Sequence, residues 1–403
     1  MASVTGRFRH LCRAGKICAR AVAAQVNDKV CTPRYQLVTY CRGLENPIRD
    51  GHIALPTMSG MTYSEPARSA APRTGSPASA SSSAVLARGI TIYGCGQDEA
   101  ALFRQMAPRF GIMPTIVQEP VSEANIGLVS GNRCISIGHK TKVANSLLLA
   151  LAEAGVKYIS TRSIGFNHID VEYAASVGIT VGNVAYSPDS VADFTLMLML
   201  MAVRNAKSIV LRTEVHDYRL DAVRGKELRD LTVGVVGTGR IGVAVLDRLR
   251  GFGCRVLAYD TVLTASAEYV PLDELLEQSD IVTLHVPLNT DTHHLLDRKN
   301  IGRLKDGAYI INTGRGPLIE TEALISALES GKLGGAALDV LEGEEGIFYA
   351  DCRNKPLESK TLLRLEKLSN VLISPHTAYY TDHALSDTVE NSIINCLQFE
   401  SGK

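Results

Sequence analysis

The chain has 403 residues, 45% of them hydrophobic and 21% charged, which is typical of a soluble globular protein large enough for two well-buried cores. Its 42 basic and 42 acidic side chains balance, which argues against a dedicated nucleic-acid-binding protein, since such proteins usually carry a basic surplus. The nine cysteines are scattered singly, without a CxxC pair or a Cys/His cluster at zinc spacing, so we expect reduced thiols, a cytoplasmic location and no metal site.

Residues 1–88 differ in composition from the rest of the chain. The first 27 residues are rich in arginine and contain no acidic side chain, which resembles an organelle transit peptide. The alternative, which we favour, is a start codon placed too early, with Met58 or Met61 as the true first residue. Ser, Ala and Pro dominate from 62 to 88, which predicts a flexible linker. We therefore expect 1–88 to be a disordered or non-native extension.

Regular structure is predicted from Gly89 onwards, where apolar, β-rich runs alternate with amphipathic segments. This alternation is typical of parallel βαβ units. The predicted strands are 90–95, 133–137, 157–161 and 179–181, and the predicted helices include 142–154 and 168–177. Gly94 and Gly96 follow the first strand, but they lack a third glycine and precede acidic residues, so we predict an ordinary turn there.

The most apolar stretch of the chain is 191–203. It is interrupted by Asp193 and falls well short of the ~20 residues that a membrane-spanning helix needs. We therefore predict a buried or interface helix, no membrane association, and a homodimer in which this helix forms the interface. Asp170 and Asp193 are expected to be helix-start or turn residues.

A second series of elements begins near Leu231. The predicted strands are 231–236, 254–259, 280–285, 308–312, 335–340 and 371–374, with helices at 240–251, 272–278 and 320–330. Six strands with helices between them match a complete dinucleotide-binding domain. The chain is thus predicted to be α/β, with two doubly wound parallel sheets of which the second binds the dinucleotide.

The loop after strand 231–236 carries the glycine pattern GxGxxG in VGVVGTGRIG. Gly237 permits the tight turn, Gly239 lets a pyrophosphate approach the backbone, and Gly242 lets helix and strand pack closely. The following helix start offers free N–H groups to the phosphates. Arg240, beside Ile241 in this loop, either contacts the pyrophosphate or is a solvated residue at the helix start.

Asp260 ends the next strand, 23 residues after Gly237. A carboxylate at this place can accept hydrogen bonds from both ribose hydroxyls and would repel a 2′-phosphate. The sequence therefore predicts NAD as the cofactor, with NADP as the less favoured alternative. The competing interpretation of Asp260 is a solvated turn residue.

Three polar side chains follow the ends of consecutive predicted strands: Arg315 in INTGRGPL, Glu344 in LDVLEGEE and His376 in SPHTAYYT. Because the carboxyl ends of parallel strands face the ligand crevice, all three are expected in one cleft. Hydride transfer to a keto acid needs an anchor for the carboxylate, which an arginine fork provides. It also needs a proton donor, which a histidine supplies when a carboxylate raises its pKa.

These motifs, together with HVPLNTDT, resemble the D-isomer-specific 2-hydroxyacid dehydrogenase family over about residues 90–400. Within the family the resemblance is to D-lactate dehydrogenases of the vancomycin-resistance type. It is carried by SIGHKTKV at 136–143, YISTRSIGFNHID at 158–170 and NVAYSPDSVADFT at 183–195. The segment EGEEGIFYADCRNKPL at 342–357 resembles the lactate branch of the family and not the phosphoglycerate or glycerate branches.

The resemblance implies a role for each matching residue. Arg315 would bind the substrate carboxylate and ketone oxygen, His376 would donate the proton, and Glu344 would orient and charge His376. Ile164 and Gly165 would offer backbone N–H groups to the carboxylate, and Tyr186 would close the pocket. The implied cofactor contacts are Val286, Pro287, Thr292, Thr313, Gly314, Arg315 and Asp339. Tyr379 would wall off the side-chain pocket and favour a methyl group, hence pyruvate.

The resemblance also implies the domain organisation and the role. Residues 89–187 and 376–403 would form a flavodoxin-like substrate domain, and 188–375 a Rossmann NAD-binding domain. The enzyme would reduce pyruvate to D-lactate with NADH and so supply D-alanyl-D-lactate cell-wall precursors for glycopeptide resistance. The alternatives are a dehydrogenase of bulkier D-2-hydroxy acids and a non-catalytic NAD-sensing corepressor on the same fold.

Four other histidines near the predicted site remain candidates: His139, His168, His285 and His294. His139, with Lys140, either touches the substrate or caps the following helix. His285 ends a strand beside the cofactor loop, and we expect it to be a satisfied structural imidazole.

Overall fold

The computed structural model describes residues 89–220 and 224–402, and the predictions for 1–88 lie outside this range. The described chain forms two parallel sheets of five and seven strands, each with apolar clusters on both faces. The predicted fold class, two doubly wound α/β units, is confirmed. The limits of the two predicted domains, at 187/188 and 375/376, stay a prediction.

The first sheet has the strand order β2-β1-β3-β4-β5, which is the flavodoxin-like order. Its strands are β1 (Gly89–Ile92), β2 (Met113–Ile116), β3 (Cys134–Ile137), β4 (Tyr158–Thr161) and β5 (Thr180–Gly182). The helices of this part are α1 (Gln97–Met106), α2 (Asn145–Glu153) and α3 (Val171–Ser176). Asp170 caps α3 by accepting from the Tyr173 N–H at 2.9 Å, as predicted.

The second sheet contains seven strands, so the prediction of six was wrong by one. Its strands are β6 (Thr232–Val236), β7 (Arg255–Tyr259), β8 (Glu268–Tyr269), β9 (Ile281–Leu284), β10 (Ala308–Asn312), β11 (Leu333–Leu338) and β12 (Val371–Ile373). The order β12-β11-β10-β9-β6-β7-β8 places the glycine loop after β6 at the point where strand order reverses. The missed strand, β8, pairs only two residues at the sheet edge.

Helices complete this second unit and link it to the first. They are α4 (Asp189–Val203), α5 (Ala206–Glu214), α6 (Arg240–Leu249), α7 (Leu272–Gln278), α8 (Arg298–Arg303), α9 (Thr321–Glu329), α10 (Lys360–Lys367) and α11 (Asp382–Glu400). The last of them, α11, packs Val389, Ile393 and Cys396 into the core of the first sheet. The chain therefore crosses between the sheets before α4 and again after β12, and the cleft lies at these crossings.

Helix α4 is a core helix. Leu196, Met199 and Val203 are buried in the same cluster as β6 and α6. Asp193 lies inside this helix, not at its start as predicted, and its carboxylate accepts from Arg248 of α6. No described helix is by itself long and apolar enough to span a membrane, although α4 and α5, bent by 71°, pass a length-and-composition test together.

Candidate active site

The glycine loop after β6 has the geometry that a dinucleotide needs. Gly237 has φ +94°, a conformation that favours glycine, and a Cβ on Gly242 would lie 1.9 Å from the Gly237 carbonyl oxygen. A Cβ on Gly239 would meet nothing within 4 Å. Gly237 and Gly242 are therefore required by turn and packing, whereas Gly239 faces open space at the start of α6, where a pyrophosphate can approach.

Asp260 lies beside this loop at the end of β7. One carboxylate oxygen accepts from the N–H of Thr238 at 2.5 Å, and the other accepts from the N–H of Val262 at 3.1 Å. Partial burial acts to raise the pKa of Asp260, but these hydrogen bonds outweigh it and lower the pKa below its usual value. The carboxylate is thus ionised at neutral pH and fixed at the mouth of the cofactor loop.

The structure brings Glu344 and His376 together. Glu344 Oε1 lies 2.6 Å from His376 Nδ1, and Glu344 Oε2 accepts from the Leu341 N–H at 2.7 Å. The two side chains are only 18% and 15% exposed, so this ion pair is shielded from water. Because Nδ1 faces Glu344, Nε2 is the ring nitrogen available to a substrate.

Arg315 lies in the loop after β10 and packs against the loop after β4. Its Nη1 donates to the carbonyl of Gly314 at 2.7 Å. A Cβ on Gly165 would lie 1.7 Å from Arg315 Nη2. Only glycine at 165 leaves room for the guanidinium, which explains why a small residue faces this arginine.

The loop after β10 and the loop after β4 border one cavity of about 680 Å³ between the two sheets. The predicted site residues that line it are Ile164, Gly165, Tyr186, Gly239, Arg240, Ile241, Val286, Pro287, Thr313, Gly314, Arg315, Asp339, His376 and Tyr379. The predicted residues that do not line it are Gly237, Gly242, Asp260, Thr292 and Glu344. Among these five, Gly237 and Gly242 shape the loop that carries Gly239, and Glu344 contacts His376. Gly239 and His376 both line the cavity.

Thr292 is occupied elsewhere. Its hydroxyl donates to the Pro287 carbonyl at 2.6 Å and accepts from the Asn289 N–H at 2.9 Å. These bonds close the loop after β9 upon itself. The structure therefore places Thr292 as a loop-forming residue and not as a wall of the cavity.

Asp339 has a second task besides lining the cavity. Its fully buried carboxylate accepts from the Ser374 hydroxyl at 2.6 Å and from the N–H groups of Thr377 and Ala378 at 2.9 and 2.8 Å. Burial raises the pKa of Asp339, although these hydrogen bonds oppose the shift. The side chain thus shapes the loop that carries His376.

A buried ion pair that the sequence analysis missed supports the Gly165 loop. Arg162, at the end of β4, is 3% exposed and donates to Glu99 Oε1 at 2.8 Å. Its Nη2 donates to the carbonyls of Tyr93 and Gly94 at 2.9 and 3.1 Å. Glu99, one of the acidic residues that follow the Gly94–Gly96 turn, therefore neutralises the buried Arg162. Arg162 lies three residues before Gly165.

His139 lines the cavity and does not cap α2, whose N-cap is Ala144. Its ring centroid lies 5.2 Å from those of both His376 and Tyr379. Burial, followed by the nearby positive charges of His376 and Arg315, holds the pKa of His139 well below its usual value. Of the two predicted alternatives, the structure thus supports proximity to the substrate.

His285 has the structural environment that we expected. Its Nε2 lies 2.9 Å from the Thr283 hydroxyl, and burial lowers its pKa to about 4. His168 was not assigned a role from the sequence. Its pKa is also lowered to about 4, by burial and then by Arg315, and its Nε2 is buried without a hydrogen-bond partner among the described residues.

One group of described side chains has the composition of a metal site. Ligand atoms of His293, His294 and Glu342 lie within 4.8 Å of one another. However, Glu342 Oε1 pairs with His294 Nε2 at 2.7 Å, and Oε2 accepts from the Thr321 hydroxyl at 2.6 Å. These bonds explain the arrangement by themselves, since they join the loop after β9 to the start of α9.

Known proteins share this fold and these motifs. The model of the D-isomer specific 2-hydroxyacid dehydrogenase NAD binding domain matches residues 196–378. A D-specific alpha-keto acid dehydrogenase of Enterococcus faecium is 64% identical over 312 residues, which cover 77% of this chain and 97% of that protein. An aromatic 2-oxoacid reductase of Clostridium sporogenes is 39% identical over 317 residues, covering 77% and 96% of the two chains. The solved D-lactate dehydrogenase of Aquifex aeolicus, complexed with NAD and lactic acid, matches with TM-score 0.71 and 35% identity over 78% of this chain and 96% of that one.

A dinucleotide loop at a sheet's switch point, facing a cleft with paired histidine and glutamate, defines a nicotinamide-dependent oxidoreductase. The chain belongs to the D-isomer-specific 2-hydroxyacid dehydrogenase family. It is an NAD-dependent D-2-hydroxyacid dehydrogenase, so the predicted family, enzyme class and cofactor are confirmed, and the corepressor alternative is set aside.

Proposed function

We propose that the enzyme reduces pyruvate to D-lactate with NADH, using Arg315, His376 and Glu344. The observation that carries the proposal is the shielded pair of His376 and Glu344, in which His376 lines the same cavity as Arg315. The bound nicotinamide supplies the hydride, and the residues of this chain bind the keto acid, polarise its ketone and deliver the proton.

Each of the three side chains has one task in this proposal. The Arg315 fork binds the substrate carboxylate and draws electron density toward the ketone oxygen, with the N–H groups of Ile164 and Gly165 helping to hold the carboxylate. His376 Nε2 gives its proton to that oxygen as the hydride arrives. Glu344 stabilises the imidazolium through Nδ1 and fixes its orientation.

The aromatic wall of the cavity is the argument for a small substrate. The ring of Tyr379 lies 5.2 Å from that of His139 and 6.4 Å from that of Tyr186, centroid to centroid. Burial raises the pKa of Tyr186 to about 12, so it stays neutral and adds no charge beside the keto acid. A methyl group fits among these rings with less rearrangement than a branched or aromatic side chain.

The cofactor contacts form the other part of the proposal. Gly239, Arg240 and Ile241 lie at the start of α6, where we place the pyrophosphate. Val286, Pro287, Thr313, Gly314 and Asp339 also line the cavity, and we place the nicotinamide against them. Asp260 would accept from the ribose hydroxyls, and its ionised carboxylate would repel the 2′-phosphate of NADPH.

A single set of kinetic measurements tests this proposal. With NADH, kcat/KM for pyruvate should exceed that for a branched 2-ketocaproate-like acid and for an aromatic keto acid by about 10-fold or more, the discrimination that a tight apolar pocket provides. With pyruvate, NADH should be preferred to NADPH. A higher kcat/KM for the branched or aromatic acid would contradict the pyruvate assignment and favour a dehydrogenase of bulkier D-2-hydroxy acids.

We also propose a homodimer. The sequence placed its interface on 191–203, but much of that helix, α4, is buried within its own chain, so we propose instead that α5 and the residues that follow it form the interface. Exposed apolar side chains cluster there: Ile209, Val210, Leu211, Val215 and Leu220, each at least half exposed. Several exposed apolar side chains in one short segment favour an interface there. Sedimentation velocity should give twice the chain mass for the wild type and the single mass for Val210→Asp; a monomeric wild type would contradict the proposal.

The biological role is the remaining part of the proposal. We place the enzyme in the cytoplasm, where its D-lactate would supply a D-alanyl-D-lactate ligase and so modify cell-wall precursors in glycopeptide resistance. The support is the sequence resemblance to the resistance-type enzymes. Mass analysis of precursors from cells with and without the enzyme would show whether D-lactate-terminated species depend on it.

A further inference from the structure

The long segment between β11 and α10 carries a tyrosine that reaches across the cleft. The hydroxyl of Tyr349 donates to the backbone carbonyl of His376 at 2.7 Å and lies 3.0 Å from Nε2 of His139. We propose that Tyr349 is a positioning residue, which holds the backbone of the proton donor and ties it to the loop after β3. This inference rests on the proposed role of His376.

The direction of each hydrogen bond follows from the number of hydrogens. The Tyr349 hydroxyl has one hydrogen, which it gives to the His376 carbonyl, so it can only accept from His139. His139 must therefore carry a hydrogen on Nε2. Burial and the adjacent positive charges lower the pKa of His139, which favours a neutral ring with one hydrogen. The bond to Tyr349 then assigns this hydrogen to Nε2. The chain of donors thus runs from His139 through Tyr349 to His376.

The backbone of His376 needs such support. Its φ is +54°, a left-handed conformation that residues other than glycine seldom adopt. On the N–H side it is held by a 2.8 Å bond to the Asp339 carbonyl. The carbonyl oxygen of His376 accepts the hydrogen bond from the Tyr349 hydroxyl. The other end of this peptide, the Thr377 N–H, is held by the Asp339 carboxylate at 2.9 Å, so Tyr349 fixes the carbonyl end. Without the Tyr349 bond one of these two holds is lost, and we expect the ring of His376 to be less firmly directed toward the substrate.

The hydrogen bonds of the Tyr349 hydroxyl also link the two sheets of the molecule. Tyr349 belongs to the loop after β11 in the second sheet, and His139 follows β3 in the first. Lys140 Nζ lies 5.1 Å from the Tyr349 ring centroid, a cation–π contact that adds to the same link. The hydroxyl therefore positions His376 relative to the loop that faces the substrate, and its loss should affect proton transfer more than cofactor binding.

Tyr349→Phe tests the inference because it keeps the ring and removes only the hydroxyl. With the keto acid that the wild type reduces best, kcat per NADH-binding site should fall about tenfold, since small misplacements of a reacting group are costly. The solvent deuterium isotope effect on kcat should rise as proton transfer becomes slower. The affinity for NADH, measured by fluorescence titration, should stay the same.

Tyr380→Phe is the matched control, because it removes the hydroxyl of a tyrosine in the loop after β12 that donates to Asp98 at the surface. It should keep the wild-type kcat. A folded Tyr349→Phe enzyme with unchanged kcat and isotope effect would overturn the inference. An equal loss in both variants would also overturn it, since the effect would then not be specific to the Tyr349 hydroxyl. A wild type that prefers another keto acid contradicts only the pyruvate assignment, because the comparison uses whichever acid is reduced best.

Discussion

Replacing His376 with asparagine should lower kcat for keto-acid reduction by about 10²- to 10⁴-fold, the usual contribution of a positioned general acid. Asparagine is close in size and can still hydrogen-bond, but its amide cannot transfer a proton at neutral pH. The Glu344 carboxylate would keep its bond to the Leu341 N–H, so the loop should retain its shape. Steady-state kcat and a fluorescence titration with NADH give the two quantities to compare, and NADH affinity should change little.

His383→Asn is the control for this substitution. His383 is on the surface, with its side chain 77% exposed and 3.6 Å from Asp387, so its replacement should leave kcat unchanged. If His376→Asn kept kcat within about threefold of the wild type, the proton would have to come from another group, and the proposed role of His376 would be wrong.

The cofactor site could be predicted from the sequence because its determinants are local. Strand, glycine turn, helix and second strand follow one another within about 30 residues of chain, and each glycine is required by backbone geometry. The grouping of Arg315 and His376 required one more rule, that parallel strands end at the same edge of a sheet. That rule specifies a cleft but not the contacts within it.

The contacts that the sequence did not reveal join residues far apart in the chain. Arg162 pairs with Glu99 and Tyr349 meets His139, and neither pair has a spacing that signals contact. A run of apolar residues such as α4 has the same pattern in a core helix and in an interface helix, so its burial could be learned only from its neighbours.

Edge strands were missed for a related reason. In β2, Pro114 interrupts the apolar run and Met113 is 69% exposed, and β8 has only two residues. Such strands are recruited by the neighbours they pair with and not by their own propensity. The hydrogen bonds of Asp339 to the 374–378 loop could not be predicted from the sequence either. They depend on the pairing of β11 with β12.

Arg315→Lys should lower kcat/KM for the keto acid by roughly 10²- to 10³-fold, comparable to losing one donor that stabilises a developing oxyanion. Lysine keeps the positive charge but loses the planar fork, so it cannot hold the carboxylate and polarise the ketone at once. The close approach of the guanidinium to Gly165 is specific to a flat group, which a lysine ammonium would not reproduce. The values of kcat and KM for the keto acid, measured at saturating NADH, give the loss.

Arg364→Lys is the matched control, since Arg364 pairs with Glu322 and Glu329 at the surface and should tolerate the exchange. The test also separates the two roles predicted for Arg315, which was assigned to both the substrate and the cofactor. A loss confined to the keto acid would assign the guanidinium to the substrate. If NADH affinity fell in parallel while KM for the keto acid stayed constant, Arg315 would act on the cofactor, and the substrate carboxylate would have to be held by the backbone of the 163–165 loop.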